Sequence, residues 1–379
     1  MAAAFVGLSL SAMPATADCI QSGQTVTCSG PDTVGGFDAG AQNNLTVNVQ
    51  PLATVNDNGA AAAAIILNDT NTVTNNGTVT TANPGVNGID FLDFNVVTNN
   101  ATISVGIGGS ALSGFDNNVI VNNGAITAGA TGTGIFTGLN NTITNAATGV
   151  ITVGDDGAGI YVAGNGVVTN AGAIALGDAS APAGGIFADG DFNKLVNAAT
   201  GTITGRDGMA GMVVQGNDAT VTNAGSITLR DSALGILVQG DNAVIRNTGT
   251  IVARDNSVGI AVTGDSNTVV NSGTITVRDG IFSTGIESNS IFGSNHIVNT
   301  GTINVGANAT GIFLDGYGTV FNSGTINAAT GAAAIEFCSC GLNYALTLGP
   351  GSAINGLVVG NGIATSSWAA PAKTRSISA

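Results

Sequence analysis

The sequence predicts an all-β fold: a right-handed parallel β-helix with three short strands per coil and about twelve coils. Three observations predict it. The phrase Asn, small, Gly, small, Ile or Val returns about every 25 residues, as in Asn75-Asn76-Gly77-Thr78-Val79 and Asn122-Asn123-Gly124-Ala125-Ile126. A Gly-Ile phrase sits midway, at Gly134-Ile135, Gly159-Ile160, Gly185-Ile186, Gly235-Ile236 and onward to Gly311-Ile312. Between these phrases the segments alternate apolar and polar with period two over four to six residues, the signature of strands. Glycine every few residues, with scarce Leu, Glu and Lys, makes helices unfavourable.

The first element is an address. Ala2 to Met13 are apolar or small, centred on Phe5, Val6, Leu8 and Leu10, and Pro14-Ala15-Thr16-Ala17 follows as an A-x-A cleavage site. Residues 1–17 read as a secretory signal peptide without its usual basic start. The alternative is an apolar strand opening the fold. No later apolar run approaches the ~20 residues of a membrane-spanning helix.

The second element is a cap over residues 18–40. Cys19 and Cys28 bracket a short stretch centred on Gly23 with β-branched flanks, which suits a disulfide-closed hairpin in an oxidising compartment. Two free thiols is the other reading. Cys338 and Cys340 lie two apart, so in an extended strand their Cα atoms sit ~6.5 Å apart, near the limit for a disulfide.

The third element is the coil array over 41–363. Ten intervals separate Asn75 from Asn322. A single coil cannot bury its own apolar face, but stacked coils bury a continuous one. Ile126, Ile174, Ile227, Ile251, Ile275 and Ile326 are therefore expected to form an internal ladder. The repeated Asn should occupy turns that favour αL or Asx geometry, with side chains hydrogen-bonding along the rod.

These units, with the A-x-A signal and Leu346-Thr347-Leu348-Gly349-Pro350-Gly351-Ser352-Ala353-Ile354-Asn355-Gly356, resemble an autotransporter passenger domain of Gram-negative type V secretion. The resemblance covers about residues 18 to 363. It implies surface or secreted localisation and, as partner, an outer-membrane translocator barrel, which this chain does not contain. Residues 364–379 break the pattern with Ser366-Ser367-Trp368 and two cations. A one-base shift in one possible coding of this tail reads as a continuation of the family pattern, so the tail is read as a frameshifted end of a longer protein.

Composition narrows the function. Charged residues are 8% of the chain, against roughly a quarter in ordinary domains. The net charge of −15 makes nucleic acid and anionic lipid poor partners. One His, one Trp and two Glu, Glu287 and Glu336, leave few catalytic groups, and no cofactor or metal site is expected. A polysaccharide-degrading enzyme of pectate lyase or polygalacturonase type is the alternative class, since such enzymes also use β-helices. Its nearest candidate pair is Asp155-Asp156, but the accompanying Gly-His-Gly and Arg-Ile-Lys motifs are absent and adjacent strand residues point oppositely, so the pair reads as a solvated turn rather than the two flanking carboxyls a glycosidase needs. His296 has no accompanying nucleophile motif. Arg206-Asp207, Arg230-Asp231, Arg254-Asp255 and Arg278-Asp279 recur every 24 residues and read as a self-neutralised turn ladder, with an acidic-glycan patch as the alternative.

Strand parity supplies the interaction candidate. In Gly-Ile-x-Val units, Ile and Val point inward and the residue between them points outward. That position holds Phe136, Tyr161, Phe187, Val213, Leu237, Ala261, Glu287 and Phe313. Phe136, Tyr161, Phe187, Val213, Leu237 and Phe313 form an expected apolar stripe for a host or neighbouring-cell surface, or for another copy, unless a loop covers it. Together these readings give an exported, adhesive or structural stalk.

Overall fold

The computed structural model describes residues 19–30, 36–57, 62–180, 183–338 and 344–360. The expected signal peptide, the 364–379 tail and Cys340 lie outside them. Among the described residues every regular element is a β-strand, and no helix is long and apolar enough to cross a membrane.

Thirteen strands, from Thr54–Asn56 to Ala353–Asn355, form one continuous parallel sheet with one strand per coil. The remaining strands build two more columns, which merge where Thr284–Asn299 and Thr310–Asn322 run unbroken through both. The coils thus number thirteen rather than about twelve. The difference lies at the ends, where the Thr54–Asn56 and Ala353–Asn355 coils lack the Asn-x-Gly phrase. At ~4.8 Å per coil the rod is roughly 60 Å long.

Three apolar ladders fill the interior. One runs Ile103, Ile126, Ile151, Ile174, Ile203, Ile227, Ile251, Ile275, Ile303 and Ile326, each in register with the next and shielded from solvent. A second contains Ile135, Ile160, Ile186, Met212, Ile236 and Ile260. The third contains Ile120, Ile143, Val168, Leu195, Val221 and Ile245. Burial of each such side chain contributes about 1.5–3 kcal/mol, so the stacked core carries the stability a lone coil lacks.

The Gly of the Gly-Ile phrase breaks the strand's parity, because both residues face inward. A Cβ on Gly159 would overlap the Gly185 carbonyl oxygen and sit 2.6 Å from Ile174 Cγ2. Only glycine lets the coil fold that closely over its own opposite wall.

Asparagine supplies the polar frame. From Asn75 through Asn99, Asn122, Asn145, Asn170, Asn197, Asn223, Asn247, Asn271 and Asn299 to Asn322, each Nδ2 donates to the next Oδ1 at 2.7–2.8 Å. Asn322 Nδ2 then donates to Ser352 Oγ, also at 2.7 Å. All eleven Asn are fully buried. Contrary to the αL expectation, these ladder residues have ordinary backbone angles. The positive-φ turn positions belong instead to other residues, such as Asn117, Asn140 and Asn165. A second buried row was not foreseen: Asn95, Asn118 and Asn141 each accept a backbone N–H from the preceding coil at 2.7–2.8 Å.

One antiparallel pair occurs among the described residues. Cys19–Ser22 pairs with Thr25–Cys28, and a disulfide joins Cys19 to Cys28. The second strand of this hairpin then pairs in parallel with Thr46–Val49, so the staple sits directly on the first coils. Cys338 is also disulfide-bonded.

Candidate functional site

The outward column assembles in the expected register. Phe136 lies over Tyr161, Tyr161 over Phe187, and Phe187 over Val213, followed by Leu237, Ala261, Glu287 and Phe313. Its members differ sharply in exposure. Phe136 is 42% exposed, and Tyr161, Phe187 and Phe313 are half-buried. Val213 and Leu237, predicted as open members of the stripe, are buried at 0% and 8% exposure. They pack in a second apolar cluster with Ala210, Val258 and Ala261, against which Phe187 and Leu234 rest. Every Gly-Ile phrase turns the residue before its glycine onto this outer face, and here those residues, Ala210, Leu234 and Val258, are apolar and pack with Val213 and Leu237. The open stripe is therefore Phe136, Tyr161 and Phe187, with Phe313 set apart beyond the buried patch.

Within this trio the rings are ordered. Phe136 and Tyr161 stack with centroids 4.9 Å apart and planes 12° from parallel; Tyr161 and Phe187 are 5.5 Å and 14° apart. The spacing follows the coil rise, so the backbone imposes the stack. Ring faces are spent on one another, and the edges remain outward. Tyr161 Oη donates to Asp189 Oδ2 at 3.3 Å. Burial, and then the adjacent Asp189 charge and this hydrogen bond, push the Tyr161 phenol above its usual range. The ring is thus held neutral.

Further exposed apolar residues lie on the same stretch of rod. Phe115, Leu139 and Phe192 project from turns, and Val119 and Val167 from adjacent strands. Parity reasoning missed the turn residues because period two does not run through a turn. Phe192 even occupies a left-handed position, with φ 61°, where bulky residues are rare.

At the far end of the column, burial and the like charge of Asp315 raise the pKa of Glu287. A raised folded-state pKa means that the folded state holds the proton more tightly. The stability this group contributes is complete in acid, below the unfolded carboxyl range, and is lost as pH climbs through the raised value. Glu287→Gln is accordingly expected to melt higher than the parent at neutral pH, with the gap closing in acid. Thermal melts across that range check this, and a gap that widens in acid would refute it.

The other candidates serve the coil itself. Asp155 Oδ1 accepts the Asp178 N–H at 2.9 Å, and Asp156 Oδ1 accepts the Ser180 N–H at 2.6 Å. His296 Nδ1 shares a hydrogen bond with Thr319 Oγ1 at 2.7 Å. Within the Arg-Asp column the carboxylates bond along the rod. Asp207 and Asp231 each accept the N–H of the next coil's Asp at 3.3 Å. Among the described residues the one ion pair joins Arg206 to Asp178 of the preceding coil, at 3.8 Å.

Comparison with protein-family models, with curated proteins and with solved structures finds no match to this chain.

Proposed function

We propose that the chain is the exported stalk of an autotransporter-type surface protein, acting by adhesion or self-association through Phe136, Tyr161 and Phe187. The ordered aromatic stack carries this reading. Three rings held by three successive coils lose little conformational freedom on docking, and aromatic side chains offer 150–250 Å² each of contact area in general. Because the ring faces are already stacked on each other, the open edges suit an apolar protein surface better than a flat sugar ring. The hairpin disulfide accords with an oxidising, exported setting. The enzymatic alternative is disfavoured by the commitment of Asp155 and Asp156 to capping backbone N–H groups.

The test is a double substitution, Tyr161→Ser with Phe187→Ser, in the protein displayed on cells. Clumping or adhesion is expected to fall at least about tenfold, since losing two aromatic anchors commonly removes more than 1.4 kcal/mol each. The melting temperature should fall by only a few degrees, because neither ring faces the interior, although Phe187 also packs on the Val213 cluster. Undiminished clumping would discard the stripe.

A further inference from the structure

We propose that the rod carries a second binding site, on a different sheet from the aromatic stack, that takes a linear acidic polysaccharide through Arg206, Arg230 and Arg254. This site does not rest on the adhesive reading of the stripe.

A groove of about 550 Å³ runs across several coils of the thirteen-stranded sheet. Thr204, Thr228, Arg206, Arg230, Arg254 and Asp155 supply its polar lining. The three guanidinium groups come from successive coils, and the Arg254 N–H bonds directly to the Arg230 carbonyl at 3.2 Å, which fixes the column. Their backbones therefore stack at the coil rise, ~4.8 Å.

Arg206 is paired with Asp178 of the preceding coil at 3.8 Å, but the aspartates that follow each Arg in sequence leave Arg230 and Arg254 open to the groove. Asp207, Asp231 and Asp255 follow each Arg in sequence, yet none of them lines the groove. Asp207 and Asp231 each have one oxygen turned along the rod to cap the next coil. Among the described residues Arg230 and Arg254 make no ion pair. Within the groove these two cations, with Arg206 held by Asp178, face one lining carboxylate, Asp155, whose Oδ1 is occupied by the Asp178 N–H.

A row of guanidinium forks at one per coil matches a chain that presents one carboxylate or sulfate per sugar, each able to accept two parallel N–H bonds. The Thr204 and Thr228 hydroxyls, in a column two residues before the Arg column, suit sugar hydroxyls. Duplex DNA fits poorly: it carries one charge per ~1.7 Å, and its affinity rests on neutralising many phosphates. The net charge of −15 opposes every polyanion outside this short column, glycan and DNA alike, and does not discriminate between them.

Affinity electrophoresis of the full chain tests the site, with gels containing polygalacturonate, chondroitin sulfate, neutral dextran or duplex DNA. Retardation is expected in both acidic glycans, weakening as salt is added, and none in dextran. Chondroitin sulfate carries carboxylate as well as sulfate, so stronger retardation in it than in polygalacturonate shows that sulfate adds to binding, and the reverse shows that carboxylates suffice. Arg230→Gln with Arg254→Gln should lose about tenfold or more in apparent affinity, as expected when charge-assisted bonds are removed. Thr228→Glu, which adds a carboxylate to the wall and leaves every Arg in place, should weaken retention in the same way. Tyr161→Ser with Phe187→Ser should retain the glycans fully, so that failure of one site is distinguishable from failure of the other. The proposal is overturned if neither acidic glycan retards the parent, if the folded double Arg variant is retarded equally, or if DNA retards the parent as strongly as the glycans do.

Discussion

Asn223→Ala is expected to destabilise the rod by about 2–5 kcal/mol, the combined effect of a buried void and two orphaned amide groups. Asn223 accepts from Asn197 Nδ2 and donates to Asn247 Oδ1, both at 2.8 Å, and its Nδ2 also reaches the Thr250 carbonyl at 3.3 Å. Its removal leaves a donor below and an acceptor above without their main partners, in a place water does not reach. Denaturant unfolding measures the loss. Asn223→Asp sharpens the test. An ionised carboxylate can still accept from Asn197, but it faces the Asn247 oxygen with no proton to give. Protonation restores the donor. The folded-state pKa of the introduced Asp must then be raised, so the lost stability returns in acid and disappears as pH rises through that value. Burial alone would raise this pKa too, so the decisive comparison is made in acid: protonated Asn223→Asp, isosteric with Asn, should approach the parent while Asn223→Ala stays destabilised, and equal stability of the two variants there would refute the hydrogen-bonding role.

The Asn ladder and the Ile ladders were legible in the sequence because stacking transmits one coil's choice to the next at a fixed interval. Any residue that is favourable in one coil is favourable in all, so periodicity reports packing directly. The same rule gave the column from Phe136 to Phe313 in its observed register. What escaped it was everything at right angles to that repeat. Val213 and Leu237 obey the outward parity and are nevertheless buried, because their neighbours on that outer face, Ala210, Leu234 and Val258, are apolar and pack against them. Phe115 and Phe192 lie in turns, where neither period two nor the Asn phrase applies. The Arg-Asp pairs show a further limit: adjacency in sequence suggested mutual neutralisation, whereas the Asp carboxylates bond along the rod to backbone N–H groups. A recurring dipeptide fixes which residues are stacked, but the direction of each side chain depends on which backbone groups the neighbouring coil leaves open.

Gly235→Ala should be among the most damaging single changes available, although it adds one methyl group. The added Cβ would overlap the Gly259 carbonyl oxygen and sit 2.6 Å from Ile251 Cγ2. Both obstacles belong to the frame, one being the next coil's backbone and the other the innermost atom group of a fully buried ladder residue. Neither can swing aside, so relief requires the coils to separate, and the expected loss is upwards of about 3 kcal/mol. Gly40→Ala separates this packing effect from backbone strain. Gly40 has φ +57° and nothing within 4 Å of its Cβ position, so its substitution should cost only the left-handed penalty of about 1–2 kcal/mol. The two variants should also differ in reach. Each coil touches only its neighbours, so damage at Gly235 should spread outward from the middle of the rod. Hydrogen exchange is expected to show protection lost first at Ile236, Ile251 and Ile260, while Ile89 and Ile103 remain protected. Equal melting of the two glycine variants would mean that the close approach at Gly235 does not govern stacking. A larger, centrally localised loss for Gly235→Ala would locate the requirement for glycine in contact between coils, where a favourable backbone angle offers no relief.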